Sequence, residues 1–210
     1  GNMLEGMARI FAEAPSVDLR AMRKVSDKEK ADQRPIPGVT NTENNPDLAG
    51  TDIDVIAGTA WAFASPTMID NPVDVLLVDE AGQLALIDAL AGSVSARNVV
   101  LLGDPLQLAQ VSQATHPGIS GLSALGHLLR GEDTISDDRG VFVKETRRMH
   151  PNVCRFISDR IYGGRLESFA DCARQDTTVG TGLRWLRVEH AGCSTESIEE
   201  AEAVAAQVQA

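Results

Sequence analysis

VDVLLVDEAGQ, residues 73–83, is an apolar run, broken only by Asp74, that ends in two adjacent carboxylates, Asp79 and Glu80, and then in small residues. Two further runs of the same kind flank it, DVIAG at 54–58 and NVVLLGD at 98–104. Apolarity that is continuous rather than alternating predicts strands covered on both faces, as in a parallel sheet. Helical spacing follows the second and third runs, at Leu84–Ala91 and Gly121–Leu129. Strands alternating with helices predict an α/β layered domain. All three runs end in small or polar residues: Gly58-Thr59, Asp79-Glu80 and Gly103-Asp104. Ligands of open parallel sheets bind beyond the carboxyl ends of the strands. The three ends are therefore expected to line one crevice.

Upstream, residues 3–14 have helical spacing and Asp18–Val25 reads as a short strand. The segment 26–52 is polar and holds Pro35, Pro37, Asn44, Asn45 and Pro46. A loop of that length is uncommon inside a compact domain, so a mobile insertion is expected. Downstream, residues 131–140 read as a linker and VFVKE (141–145) as a new strand. A helix should start at Pro151, since proline suits the first turn. Val153, Phe156, Ile157 and Ile161 give it an apolar face, and Gly163-Gly164 should stop it. After a polar loop, GLRWLRVEH (182–190) reads as a strand, and a last helix opens at Thr195 or Ser197. The expected division is a first domain over 1–135 and the beginning of a second over 136–210.

The composition, 43% hydrophobic and 23% charged, allows a buried core. No stretch approaches the ~18 apolar residues that span a bilayer, and the N-terminal residues lack the basic start and apolar centre of a secretion signal. The three cysteines are widely spaced and form no CxxC pair. Reduced, structural thiols in a cytoplasmic setting are expected. A net charge of −11 opposes non-specific binding of nucleic acid by the whole surface. The charge is uneven, however. From Pro35 to Ala96 there is no Lys or Arg, whereas Arg139 to Arg165 holds seven basic residues against two acidic ones. An acidic half could hold a metal and a basic half could meet phosphates.

Three short motifs carry chemistry. In DEAGQ, an aspartate at a strand end can hold the shell of Mg²⁺ and the adjacent glutamate can reach an attacking water, as nucleotide hydrolysis requires. A strand may also end in Asp-Glu by chance. GDPLQL (103–108) follows the next run, so Asp104 and Gln107 should sit beside Asp79. A glutamine amide both donates and accepts, which suits sensing a γ-phosphate; the plain alternative is an Asp-Pro turn. ETRRMHP (145–151) offers arginine, whose planar fork matches phosphate. Such a pair is otherwise surface charge, and His150 reads as a helix-start or packing residue. The glycine-rich loop ending in Gly-Lys-Ser or Gly-Lys-Thr that usually faces such carboxylates is missing. The four lysines are Lys24, Lys28, Lys30 and Lys144, and none follows a glycine.

DEAGQ, GDPLQL and TRRMHPNVCRFISDRIYGGRL (146–166), in that order, resemble motifs II, III and IV of superfamily 1 helicases, in the subclass that moves 5′ to 3′. IAGTAWAFA (56–64) is similar to the nucleic-acid-contacting segment before motif II, so the resemblance covers residues 54–166. It implies a RecA-like P-loop NTPase fold, incomplete without the phosphate loop, with a parallel sheet flanked by helices and the start of a second RecA-like domain. It gives Asp79 the Mg²⁺ ligand role and Glu80 the water-activating role. Gln107 would contact the γ-phosphate, with Asp104 and Gln83 on the nucleotide side. Arg148 would be an arginine finger and Thr59 would lie near the nucleic-acid track.

ATP and Mg²⁺ are the implied cofactors, and single-stranded nucleic acid, DNA ahead of RNA, the implied partner; no membrane is implied. GLRWLRVEH and IAGTAWAFA suggest a narrower likeness to large bacterial proteins that join a RecB-type nuclease region to such a helicase. In these families the phosphate loop lies N-terminal to all of this and further arginines lie C-terminal. An internal fragment is therefore expected, inactive alone and partnered by the missing parts of its own polypeptide. Its sheet should show an unpaired apolar edge, which self-association could cover. The alternatives are a non-catalytic RecA-like interaction module and a Mg²⁺-dependent nuclease-associated domain.

Overall fold

A computed structural model describes Gly6, Glu13 and residues 19–26, 36–107 and 121–209. The chain divides into two compact units, Gly1–Glu132 and Asp133–Ala210. The helix expected over 3–14 lies outside the described residues, apart from Gly6 and Glu13, both helical.

Among the described residues the first unit holds five strands: β1 (Ala21–Lys24), β2 (Val39–Thr42), β3 (Val55–Ala57), β4 (Val73–Val78) and β5 (Ala96–Leu101). They form two parallel sheets, β2-β1-β3 and β4-β5. Helices α1 (Ala60–Phe63) and α2 (Pro66–Asp70) connect β3 to β4. Helix α3 (Leu86–Ser93) leads from β4 to β5, and α4 (Ala124–Leu129) follows. This is a mixed α/β fold with parallel sheets flanked by helices, in agreement with a RecA-like fold. The three apolar runs and the two helical segments after them form where their patterning predicts.

One core joins the two sheets. Leu48, Ala62, Phe63, Met68 and Leu76 are buried together; Met22 and Ile56 pack on them from the first sheet, and Val73, Val78 and Ala96 from the second. Met68 is 0% exposed and Leu48 2%. Burying such side chains is worth roughly 1.5–3 kcal/mol each.

Leu48 also corrects the mobile insertion expected over 26–52. Over its described part the segment supplies β2, paired with β1 in register Ala21↔Val39 to Lys24↔Thr42, and a 3-10 turn, Asn45–Ala49. The buried Thr42 hydroxyl donates to the Asp47 carboxylate and accepts from the Asn44 N–H, at 3.0 Å, so the turn is fixed. Four polar-rich residues, VTNT, gave no strand pattern; the pairing with β1 makes them one.

Two other expectations change. β3 pairs with β1 and not with β4, so the three predicted strand ends do not lie on one hydrogen-bonded sheet. Nor are β4 and β5 covered on both faces: Val75, Leu77, Val99 and Val100 are each 41–49% exposed. Among the described residues β5 has only β4 as a neighbour, which leaves its other edge open.

The second unit contains β6 (Glu145–Thr146) and β7 (Glu167–Ser168), paired in parallel, with α5 (Pro151–Ile161) between them and α6 (Ile198–Gln209) at the end. His150 caps α5: its Nδ1 accepts from Asn152 N–H at 3.1 Å, with Pro151 in the first turn. After α5 the chain turns through Gly163 and Gly164, both at positive φ. The buried face of α5 is rotated from the expected one. Cys154 and Ser158 are inside, whereas Phe156 is 52% exposed and Ile161 39%. The returning chain causes this, because Ser158 Oγ accepts from Leu166 N–H at 3.0 Å and the Cys154 thiol lies 3.7 Å from the Leu166 carbonyl.

VFVKE is a strand only at its last residue, and GLRWLRVEH is not one: residues 183–190 form no regular element and have no ladder partners among the described residues. A lone strand has no hydrogen-bonding neighbour to hold it. Of the two expected openings for α6, Ser197 is the one used; its Oγ accepts from Glu200 N–H at 3.2 Å. Among the described residues no helix is long and apolar enough to cross a membrane.

Candidate functional site

Adjacent parallel strands bring the first two motifs together. β4 and β5 pair from Val73↔Ala96 to Val78↔Leu101, so Asp79 and Leu102 follow side by side. Leu102 N–H donates to the Val78 carbonyl and Ala81 N–H to the Leu102 carbonyl, each at 2.8 Å. The DEAGQ turn then folds back on itself through Gln83 N–H to Glu80 carbonyl, 2.8 Å, and is tied to α4 through Leu125 N–H to Ala81 carbonyl, 3.2 Å. Ala81 at the centre is 0% exposed.

Two glycines make this contact. A Cβ placed on Gly82 would lie 1.9 Å from the Asp104 carbonyl oxygen, and one on Gly103 would lie 2.9 Å from Ala81 N. Gly103 also has φ +150°, a conformation side chains disfavour. In the sequence both positions read only as small residues. A glycine in each of two motifs on consecutive apolar runs was the available signal.

The functional groups sit on this joint. Asp79 and Glu80 are exposed, with Asp79 Oδ1 accepting from Glu80 N–H at 3.0 Å. Glu80 has φ +55°, left-handed for a residue with a side chain. Gln83 and Asp104 are half-buried and Gln107 is exposed. Asp104 Oδ1 accepts from Leu106 N–H at 2.9 Å and Gln107 N–H donates to the Asp104 carbonyl at 3.4 Å. The Asp-Pro turn and the site arrangement thus coexist. Among the described residues the Glu80 carboxylate and the Gln107 amide have no hydrogen-bond partner, so both are open to a ligand.

Thr59 is exposed at the start of α1, on the other sheet. It shares a cleft of about 1260 Å³ with Asp79; Lys24, Gly58 and Thr59 line one part and Leu76, Val78 and Asp79 another. Of the three strand ends expected to line one crevice, only those of β3 and β4 do so; Gly103 and Asp104 are not part of its lining, and it opens between two sheets rather than along one edge.

Among the described residues no three His, Cys, Asp or Glu groups gather as a metal site. One strand-end carboxylate still fits magnesium bound with a nucleotide, because Mg²⁺ keeps several waters and takes phosphate oxygens as ligands. The backbone cradle for those phosphates has no counterpart in this sequence, which lacks a lysine after glycine.

In the second unit, Arg147 and Arg148 differ. Arg147 pairs with Glu145 at 3.2 Å and lies over the Phe169 ring, 4.2 Å from its centre. Arg148 is exposed; its backbone is held by Thr146 Oγ1 at 3.3 Å and Gln175 Nε2 at 3.1 Å, while its guanidinium has no partner among the described residues. Arg165, by contrast, is structural. It donates to Thr134 Oγ1 at 3.1 Å and the Ile135 carbonyl at 3.2 Å and covers the Phe142 ring at 4.4 Å, so the start of the expected linker is anchored.

Paired parallel strand tips bearing Asp-Glu and Asp-Pro-Leu-Gln lie in the part of the chain that is similar to helicase core domains. Residues 54–128 match the family described as viral superfamily 1 RNA helicase core domain. The chain is 27% identical over 139 residues to the DNA replication ATP-dependent helicase/nuclease JHS1 of Arabidopsis thaliana, a match covering 64% of this chain and 10% of that protein. It is 31% identical over 139 residues to the 3′-5′ exoribonuclease HELZ2 of Mus musculus, covering 60% of this chain and 4% of that protein. The chain thus spans a small fraction of the length of these relatives.

Proposed function

We propose that this chain carries part of the ATP-hydrolysing centre and nucleic-acid track of a superfamily 1 translocase, with DEAGQ, GDPLQL and TRRMHP as its motifs II, III and IV. The observation that supports this best is the close approach of Gly82 to the Asp104 carbonyl, where the turns after β4 and β5 meet backbone to backbone. Bound Mg²⁺ would neutralise phosphate charge, with Asp79 as its protein ligand. Glu80, whose carboxylate has no competing partner, orients the attacking water and takes its proton. Gln107 reads the γ-phosphate oxygen, and Asp104 and Gln83 hold the turn that presents it. Arg148 serves as the finger, which accords with a guanidinium left free beside the engaged Arg147. Thr59 meets the strand.

The phosphate cradle comes, in this reading, from another segment of a longer polypeptide, and the chain alone hydrolyses no ATP. Single-stranded DNA ahead of RNA is the track; the names of the matched proteins include both DNA and RNA activities. A parent that joins this helicase to a RecB-type nuclease region is the narrower form of the reading, and a cytoplasmic setting, where thiols stay reduced, goes with it.

The test is steady-state phosphate release by the parent polypeptide, with and without single-stranded DNA. Stimulated turnover that falls ~10³-fold or more in Arg148→Ala, and is lost in Glu80→Gln, is expected. Turnover by the 210-residue chain itself would overturn its inactivity, and a parent indifferent to both substitutions would remove the assignment.

A further inference from the structure

Among the described residues β3 and β4 each have a neighbour on one side only, β1 and β5 respectively. Every residue of 55–59 and of 73–79 lines the cleft of about 1260 Å³. Successive side chains of a strand point to opposite faces, so a hollow against one face would be lined by alternate residues. Lining by consecutive residues means that the cleft meets both strands edge-on. Val55 N–H donates to the Arg20 carbonyl at 3.2 Å, on the β1 side. The next residue, Ile56, therefore turns its N–H and carbonyl the other way, toward the cleft. Helices form the floor: Phe63 of α1 and Gly92 of α3 both line it, and a Cβ on Gly92 would lie 3.8 Å from the Phe63 Cβ.

A strand edge with open donors and acceptors is a template for another strand. Here two such edges stand over one core, on which Ile56 packs from one sheet and Val73 and Val78 from the other. The sheets are thus two parts of one layer with a gap between them. The sequence itself offers no strand to close it. Every run of four or more apolar residues lies in or directly against β4, β5, α1, α3 or α6. The stretch at 182–190, which has no ladder partner among the described residues, carries Arg184 and Arg187, and burying an unpaired guanidinium is costly. A second copy of the chain is short of a suitable strand for the same reason.

We propose that the gap between β3 and β4 is a slot for one strand, filled by an uncharged apolar run from another part of a longer polypeptide. The run is roughly five residues long and parallel to its neighbours, as every described strand pair of this unit is. This rests on the longer polypeptide of the reading above and not on its chemistry. A strand flanked on both edges and floored by helices is a continuous apolar run, which is why 182–190 does not suit. The open edge expected from the sequence is here an inner one, closed by a different segment rather than by a copy. A strand seated in it would end between Thr59 and Asp79, so the residues that follow it enter the site.

The 210-residue chain is titrated with a fluorescein-labelled peptide whose apolar run, Val-Val-Ile-Val-Val, is flanked by lysines. Two control peptides of the same charge are N-methylated at alternate residues of the run, one at the odd set and one at the even set. Alternate N–H groups of a strand point to opposite edges, so a strand held on both sides needs both sets. Saturable anisotropy, weakened about tenfold or more in each control, is expected. Exchange of the Ile56 amide, followed by nuclear magnetic resonance, should slow on binding. A control that binds as well as the unmodified peptide puts the strand on an outer edge and overturns the slot. So does a failure to bind, or binding that leaves Ile56 exchange unchanged. Concentration-dependent dimers whose Ile56 amide is already protected identify a second copy as the occupant and overturn the outside strand. None of these results bears on phosphate release by the parent, so the slot and the chemistry fail separately.

Discussion

The runs that form β4 and β5 and the stretch Gly182–His190 are all expected as strands from their sequence, yet only β4 and β5 are built into a sheet. At β4 and β5 each strand supplies the other's ladder, and two glycines let the following turns meet backbone to backbone. Gly182–His190, whose apolar residues are interrupted by Arg184 and Arg187, has no ladder neighbour among the described residues, and Trp185 is 83% exposed. Strand sequence is therefore a permission, and a partner turns it into structure. The first unit has a core that two sheets share; the second is held by individual polar contacts, chiefly those of Arg165 and Ser158.

That contrast can be broken or sharpened by substitution. Leu48→Ala should cost the most, about 2–5 kcal/mol, because it opens a cavity under both sheets. Denaturant unfolding monitored by circular dichroism measures it, and a loss below 1 kcal/mol would mean that the two sheets do not share a core. Gly82→Ala should follow, at about 1–3 kcal/mol, since its new methyl group meets backbone, which cannot swing aside as a side chain can. If the melting temperature does not move, the two turns are not in contact.

The thiols test the second unit. Cys154 and Cys172 are buried and Cys193 is exposed, so an alkylating reagent should modify Cys193 first and the others only on unfolding, as peptide mass mapping would reveal. Burial, then Cys172, then Glu167, push the Cys154 thiol up. The folded state thus holds that proton more tightly than the unfolded one. Its contribution to stability is complete below the ordinary thiol range and lost as pH rises through the raised value. Smallest of all, Trp185→Ala should change stability by no more than about 0.5 kcal/mol; a larger loss would show that the open stretch is packed in solution.

The legible part of the fold was the part set by one segment's own pattern. Apolar runs ending in Gly-Thr, Asp-Glu and Gly-Asp marked β3, β4 and β5 within three residues of their starts and ends. His150 and Pro151 marked the opening of α5. What stayed hidden depended on a partner elsewhere in the chain. VTNT is a strand because β1 lies beside it, and β3 joins β1 rather than β4. The face of α5 turned because Cys154 and Ser158, which a search for large apolar residues passes over, meet the returning Leu166. At the site, residue types pointed to Asp79, Glu80, Asp104 and Gln107, but nothing in a one-dimensional pattern could show that Gly82 touches Asp104.

Glu80 carries its carboxylate on a left-handed backbone, φ +55°, where a side chain costs roughly 1–2 kcal/mol relative to glycine. Glu80→Gly should therefore yield a sturdier molecule that melts later, although it would lose the very group assigned to chemistry. At this corner the chain forgoes durability to hold an acid in place, and a screen that rewards heat resistance alone would discard it first.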